Sequence, residues 1–385
     1  MMILDLDGSA YERGRGQGKE MGEQYRRLMA DFFSSDMWKE NKPGFLPDRL
    51  LFPALGLLGR INTRGAVRAH LPVQAERVRG LAAGLGISEQ LCWGLQFMEI
   101  MMCEAGKSMR VPGGCTQIHA TAGATAEGKP LCGRNYDFPN LLRPYQLIRR
   151  EIPSEGGRYA TTTVTQAPLA GAHQGVNEHG LTICVNNSRQ WKGPHLRFKG
   201  VPYQFILMEA LETCRTTAEV IRLITEFPSR ANAGFFGIAD AAGDIRVVEF
   251  TASRWAVREP DEAGVMAQAN HFIKMTEANL PEGTYWVVEG MEGLEYAYST
   301  ETRYNTAYSR LKEKAGKITV ETMMEILRDH SANDGVGADH TICCHGISGS
   351  TLGSMIVDMR DRKMWVADGN PCEAPYEEIK FRMGV

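Results

Sequence analysis

Gly113-Gly114-Cys115-Thr116, followed one hairpin later by Gly133-Arg134-Asn135-Tyr136-Asp137-Phe138, are the stretches on which the reading of this chain turns. Cys115 stands behind two glycines at the start of a strand-like run, Cys115–Ala120. A thiol is the best intrinsic nucleophile among side chains, but only as thiolate, so it needs a base or a cationic neighbour. His119, four residues on, shares a strand face with Cys115 and offers one base. The other is the cysteine's own α-amine, once freed from the peptide bond to Gly114. Its reference pKa of about 7.7–8.0 suits proton transfer at neutral pH.

The second route gives Gly113-Gly114 a use, because glycine reaches backbone conformations closed to other residues. The Cys115 thiol would attack the Gly114 carbonyl and move the acyl group from nitrogen to sulfur. Hydrolysis of that ester would release Cys115 as a new N-terminus. Asp137 would then hold the ammonium, and Arg134, by its fixed positive charge, would favour the thiolate.

Outward from this centre, the pattern changes near residue 112. Before it the chain reads as helical: an amphipathic stretch from Tyr11 to Phe33, then Pro72–Leu85 and Ser88–Cys103, with a loop or short helical turn around Pro43–Pro53. After it come short β-type runs bounded by Gly, Asn and Pro: Cys115–Ala120, Pro130–Tyr136, Leu147–Glu151, Tyr159–Gln166 and Leu181–Asn186. Helices are expected at Pro202–Cys214 and Thr217–Glu226, then strands at Gly234–Asp240, Ile245–Thr251, Arg254–Glu259 and Val265–Ala269. Helices return at Glu301–Lys314 and Thr319–Asp329, and strands at His340–Cys344, Ser354–Asp358 and Lys363–Ala367 close the chain. Runs of strands, then helices, then strands favour antiparallel sheets layered with helices over a doubly wound parallel sheet.

The 385 residues suffice for a sizeable core, and 43% hydrophobic with 23% charged residues is ordinary for a globular protein. A net charge of −3 gives no electrostatic reason to expect nucleic acid or an anionic membrane. No apolar run reaches the roughly 18 residues of a membrane span. The first residues carry no basic segment followed by a long apolar run, so a cytoplasmic protein is expected. Nine cysteines without regular spacing argue against a disulfide framework, and all but Cys115 read as buried, reduced thiols.

Three other motifs compete. Asp5-Leu6-Asp7-Gly8 resembles the opening of haloacid-dehalogenase-type phosphatases, with Asp5 as nucleophile beside Mg²⁺; a later acidic cluster is lacking, and an edge strand ending in a turn is the plainer reading. Gly14-x-Gly16-x-Gly18 lies in a helical pattern and not after a strand, so it is no phosphate loop. Cys343-Cys344-His345 lacks a second ligand pair at zinc spacing. Neither metal nor cofactor is therefore expected.

Taken in order, Gly114-Cys115-Thr116 and Arg134-Asn135-Tyr136-Asp137 resemble the cysteine hydrolases with an N-terminal nucleophile. Among these the chain is most similar to the acyl-CoA:6-aminopenicillanate (isopenicillin N) acyltransferase-like group, with choloylglycine hydrolases as relatives. The likeness continues through Gly175-Val176-Asn177-Glu178-His179-Gly180-Leu181 to Asn186-Asn187, through Ala269-Asn270-His271-Phe272, Thr302-Arg303-Tyr304 and Thr341-Ile342-Cys343-Cys344-His345, to Asp368-Gly369-Asn370-Pro371-Cys372. Glu12-x-Gly14-x-x-x-Gly18 is similar to the group's pro-segment.

The resemblance implies an α+β fold, a four-layer αββα sandwich of two mainly antiparallel sheets. Residues 1–114 would be a helical pro-segment, becoming the small subunit after cleavage between Gly114 and Cys115, and residues 115–385 the catalytic domain. Cys115 would be nucleophile and, through its amine, base, with Arg134 and Asp137 orienting it. Asn270 would lend its side-chain amide to an oxyanion hole, a backbone N–H near Asn186 or Asn187 would supply the second donor, and Arg303 would be the remaining cation. The substrate would be a small-molecule N-acyl amide, cleaved through a Cys115 thioester. Transfer from an acyl-CoA is the alternative, and self-association is left open.

Overall fold

The computed structural model describes residues 1–36, 39, 48–103, 108–109, 114–188, 197–287, 290–347 and 349–383. Strand β1 (Met2–Gly8) opens the chain and turns at Ser9 into α1 (Ala10–Glu20). The Ser9 hydroxyl accepts from the Glu12 N–H and the Glu12 carboxylate reaches back, a capping box that fixes the helix start. The stretch expected as one helix from Tyr11 to Phe33 breaks at Met21, where the backbone leaves helical geometry before α2 (Gly22–Ser34). Then come α3 (Asp48–Gly59), α4 (Gly65–His70), α5 (Pro72–Leu85) and α6 (Glu89–Cys103). Of the loop or short helical turn expected near Pro43–Pro53, the part from Asp48 onward is helical and runs on to Gly59, its earlier residues lying outside those described. Packing decides that helix: Gly59 and Gly94 bring α3 and α6 so close that a Cβ on Gly59 would stand 2.3 Å from the Trp93 carbonyl. Glycines also join α1 to α5, where a Cβ on Gly80 would stand 2.0 Å from the Tyr11 carbonyl.

From β2 (Ser108–Met109) the chain turns to strands. There follow β3 (Gly114–Ala120), β4 (Leu131–Pro139), β5 (Gln146–Pro153), β6 (Thr161–Gln166), β7 (Gln174–Asn177) and β8 (Thr182–Asn187). Helices α7 (Tyr203–Thr213) and α8 (Thr217–Glu226) precede β9 (Gly234–Ala239), β10 (Ile245–Phe250), β11 (Trp255–Arg258), β12 (Val265–Gln268) and β13 (Tyr285–Trp286). The chain ends with α9 (Tyr296–Lys314), α10 (Val320–Leu327), β14 (Gly349–Asp358), β15 (Lys363–Ala367) and β16 (Tyr376–Ile379).

These strands build an eight-stranded sheet in the order β1-β5-β6-β7-β8-β9-β10-β11, a six-stranded sheet in the order β12-β3-β4-β14-β15-β16, and the short pair β13-β2. Within the two large sheets every neighbour is antiparallel except β1 and β5, which run parallel from Met2↔Leu147 to Gly8↔Pro153. The sheets face each other across β3, β4 and β8, where Gln117 Nε2 reaches the Cys184 carbonyl and Cys132 Sγ lies 3.9 Å from Cys184 Sγ. Helices α7 and α8 cover one outer face, on β7, β8, β9 and β10; α9 and α10 cover the other, on β12, β3, β4 and β14. This is the αββα sandwich. The run His340–Cys344 is no strand: the Thr341 hydroxyl bonds the Ala338 and Cys343 carbonyls, and such local bonds compete with a ladder.

Residues 1–103 are tied to the sandwich by more than β1. Arg13 from α1 and Arg77 from α5 meet Glu151 of β5 and Glu212 of α7, all fully buried, with Arg13 Nη2 3.0 Å and Arg77 Nη2 2.5 Å from Glu212 Oε1. Arg77 also pairs with Glu151. Breaking one partner of such a cluster costs about 3–5 kcal/mol, because a charge is left buried alone.

Candidate active site

Cys115 lies on β3, opposite Tyr136 of β4. Side chains alternate across a strand, so Cys115 and Gln117 share the face of Arg134, while Asp137, opposite Gly114, belongs to the other face. The site is built from both faces. On the thiol face, Arg134 Nη2 donates to Cys115 Sγ at 3.0 Å. Its guanidinium is aimed by Nε to Asn186 Oδ1 (3.1 Å) and Nη1 to Gln174 Oε1 (3.1 Å). On the other face, Arg303 of α9 donates Nη1 to the Cys115 carbonyl at 2.7 Å and Nη2 to Asn270 Oδ1 at 2.9 Å. The same Asn270 oxygen accepts the main-chain N–H of Cys115 at 2.8 Å.

Gly114 permits this meeting. A Cβ there would stand 2.8 Å from Arg303 Nη2. A larger residue there would push the guanidinium off its present position; Gly113 lies outside the described residues. Asp137 Oδ1 accepts from the Thr351 hydroxyl at 2.7 Å, whereas the buried Oδ2 has no hydrogen-bond partner among the described residues.

Burial pushes the Cys115 thiol up, and the Asp137 charge adds to this; Arg134 and Arg303 pull it down without reversing the direction. The balance favours the thiol over the thiolate. Burial also raises the Asp137 carboxyl, against Arg303, Thr351 and Arg134.

The structure brings Cys115, Arg134, Asp137, Asn187 and Asn270 to one cavity, with Arg303 behind Gly114. Asn186 and Asn187 separate cleanly. Asn186 is fully buried, its Nδ2 bonding the Cys115, Gln268 and Ala269 carbonyls, and it positions Arg134 without reaching the cavity. Asn187 lines the cavity, and its carbonyl accepts from Asn270 Nδ2 at 2.7 Å. In this state the Asn270 amide is engaged by that carbonyl.

His119 does not serve Cys115. It lies about 13 Å along the strand at about 3.3 Å per residue, its Nε2 is 3.4 Å from Gln117 Oε1, and burial holds its pKa down at about 3. Asp5 is no nucleophile either: half-exposed on the edge strand β1, it forms a two-pronged pair with Arg150 at 2.6 and 2.8 Å. Among the described cysteines all are free, and Cys372, expected to be buried, is exposed.

Sequence reasoning missed the far wall. Glu99 of α6, a residue of the N-terminal region, accepts from Tyr203 Oη at 2.7 Å and pairs with His173 Nε2 at 2.9 Å, all three lining the same cavity. Burial would raise the Glu99 carboxyl, but His173 and the Tyr203 hydroxyl outweigh it and hold it low. No motif marks these residues; they meet only because α6 folds back over β7 and α7. A second, apolar cavity lined by Leu28, Met29, Phe32, Leu95 and Leu142 shares Glu99 and Phe138 with the first.

The fold is thus an αββα sandwich in which Cys115 stands near the start of an inner strand, its main-chain nitrogen held by Asn270 and its sulfur by Arg134. Residues 124–373 match the acyl-coenzyme A:6-aminopenicillanic acid acyl-transferase family, and the chain belongs to it. Among solved structures it is similar to the N-acylethanolamine-hydrolyzing acid amidase ortholog of Caenorhabditis elegans (15% identity over 64% of this chain and 93% of that one, TM-score 0.41). It is also similar to a variant of the conjugated bile acid hydrolase of Clostridium perfringens (14%, 70% and 97%, TM-score 0.41) and to penicillin V acylase of Agrobacterium tumefaciens (13%, 66% and 83%, TM-score 0.40). Among the described residues no helix is long and apolar enough to cross a membrane.

Proposed function

We propose that this chain is a self-processing amidohydrolase that cleaves a linear N-acyl amide through a Cys115 thioester. One observation carries the reading: Cys115 has its main-chain nitrogen on Asn270 Oδ1 and its sulfur on Arg134 Nη2, so a freed α-amine and a thiolate would both find partners in place. In the precursor, Sγ attacks the Gly114 carbonyl, the Gly114–Cys115 C–N bond breaks as nitrogen takes a proton, and water hydrolyses the resulting thioester. The released ammonium would add Asp137 Oδ2 to its acceptors.

In turnover the amine takes the thiol proton, sulfur attacks the substrate carbonyl, and the proton passes to the departing amine. Water then resolves the thioester; an amine in its place would make the protein an acyltransferase. For the carbonyl oxygen we assign the Asn270 amide, released from the Asn187 carbonyl by substrate; such a donor lowers the barrier by about 3–4 kcal/mol. The apolar cavity beyond Phe138 suits the acyl group.

Intact-mass analysis of the purified protein beside Cys115→Ala tests this. Wild type should give fragments 1–114 and 115–385 and turn over N-acyl amides in a screen, and the variant should stay whole and inactive. Cleavage in Cys115→Ala, or an intact wild type inert to every amide, would overturn it.

A further inference from the structure

We propose that His330, Cys343, His345 and Cys372 form a closed zinc site that clamps the wall behind Asp137. The four residues come from three separate segments: the end of the α10 region, the loop before β14 and the loop after β15. One ligand atom from each lies within 4.8 Å of every other. Cys343 Sγ is 3.6 Å from Cys372 Sγ and 3.4 Å from His345 Nε2, which is itself 3.1 Å from Cys372 Sγ. A tetrahedral zinc ion with bonds of about 2.3 Å to sulfur and about 2.0–2.1 Å to nitrogen sets its sulfurs roughly 3.8 Å apart and each nitrogen roughly 3.5 Å from a sulfur. The three measured edges therefore fit around one such ion with shifts of a few tenths of an ångström.

His330 supplies the fourth corner. Its ring lies 5.0 Å from that of His345, centroid to centroid, and its Nε2 is buried without a hydrogen-bond partner among the described residues. Two cysteines and two histidines are the donor set that selects zinc over the harder cations.

The groups around the cluster are those that tune such ligands. Asn370 Nδ2 points at Cys343 Sγ from 3.7 Å, and Glu373 Oε1 stands 4.0 Å from His345 Nδ1, the nitrogen turned away from the sulfurs. Zinc-bound histidines usually give their other ring nitrogen to a carboxylate, and at 4.0 Å Glu373 is near that position without a hydrogen bond.

Four protein ligands leave no open position, so the ion would be structural. Its place gives it a task. Cys344 lies between two ligands, its N–H donates to Thr351 Oγ1 at 2.9 Å, and that hydroxyl donates to Asp137 Oδ1 at 2.7 Å. The ion would thus fix, two hydrogen bonds away, the carboxylate beside the Gly114–Cys115 bond. The zinc assignment itself does not depend on what Cys115 does.

The test uses full-length protein without a polyhistidine tag, purified under reducing conditions, with zinc measured by plasma mass spectrometry and Cys372 by iodoacetamide labelling. About one zinc ion per chain is expected. Cys372, exposed in the fold, should resist alkylation until a chelator is added. Cobalt exchanged for zinc should give the visible absorption of a tetrahedral thiolate site, and Cys372→Ser should lose most of the metal. Wild type that stays free of zinc after incubation with zinc chloride and desalting, with Cys372 labelled equally fast with and without chelator, would overturn the proposal. So would a Cys343–Cys372 disulfide in the reduced preparation. The wild-type readouts decide even if Cys372→Ser fails to fold.

Discussion

Replacing Arg134 with methionine removes the cation beside Cys115 while keeping an unbranched side chain of similar reach. Arg134 is 1% exposed, so solvent does not screen its charge. It makes three side-chain hydrogen bonds, and the variant loses the 3.0 Å bond to Sγ together with those to Asn186 and Gln174. Asn186 Oδ1 keeps Gln117 Nε2 at 3.0 Å, so that pivot survives. A hydrogen bond to a charged group is worth about 1.5–3 kcal/mol. At about 1.4 kcal/mol per factor of ten, loss of the sulfur contact alone slows thiolate-dependent self-cleavage roughly 10- to 150-fold. Burial already pushes this thiol up and Arg134 is the chief force against it, so the variant's thiol moves further up. Its cleavage rate should still climb at alkaline pH where the wild-type rate has levelled. The assay is a time course of intact mass on freshly refolded precursor across a pH series, with circular dichroism to confirm the fold. A folded variant with the wild-type rate and pH profile would refute the role given to Arg134.

Asp137→Asn should fold, since burial already disfavours the charged carboxylate, yet mature slowly; wild-type processing on a gel would count against its contact with the new ammonium. In Gly80→Ala the new Cβ meets the Tyr11 carbonyl at 2.0 Å. Overpacking of this kind costs about 1–3 kcal/mol or more, which outweighs the roughly 1 kcal/mol gain in helix propensity; a melting temperature at or above wild type would contradict it. Burial alone would raise Glu151, but Arg77, Arg149 and Arg13 reverse this and hold it at about 2, below its ordinary 4.5. Its stabilising contribution is therefore complete above pH 4.5 and is lost as pH falls towards 2. Denaturant midpoints measured down that range should decline, and a flat profile would rule the effect out.

The layered order of elements was legible because the period of the apolar pattern changes near residue 112, and Thr217–Glu226 and Lys363–Ala367 emerge at the expected bounds. Cys115, Arg134 and Asp137 were legible because they lie on two adjacent strands with little chain between them. What failed depends on packing at a distance. The length of helix α3 depends on its packing against Gly94 of α6, His340–Cys344 is bent by the Thr341 hydroxyl, and Glu99 enters the cavity from a helix far back in the chain. That Asn187 lines the cavity while the Asn186 side chain is buried against the Cys115, Gln268 and Ala269 carbonyls depends on how β8 lies on the facing sheet, which no local pattern gives. That His330 and Cys372 gather beside Cys343 and His345 was not legible either, since both are distant from that pair in sequence.

The parallel pairing of β1 with β5 also sets an order of events during synthesis. Met2 leaves the ribosome long before its partner Leu147, so the first strand must wait unpaired while the helices after it form. Its docking then places residues from the far side of the Gly114–Cys115 bond on the rim of the same sheet, covering the edge of β5 and making β1 the outermost strand. A break at that bond cuts the polypeptide but leaves this seam closed. The two pieces would behave like a protein and its own built-in chaperone, to be separated only by unfolding both.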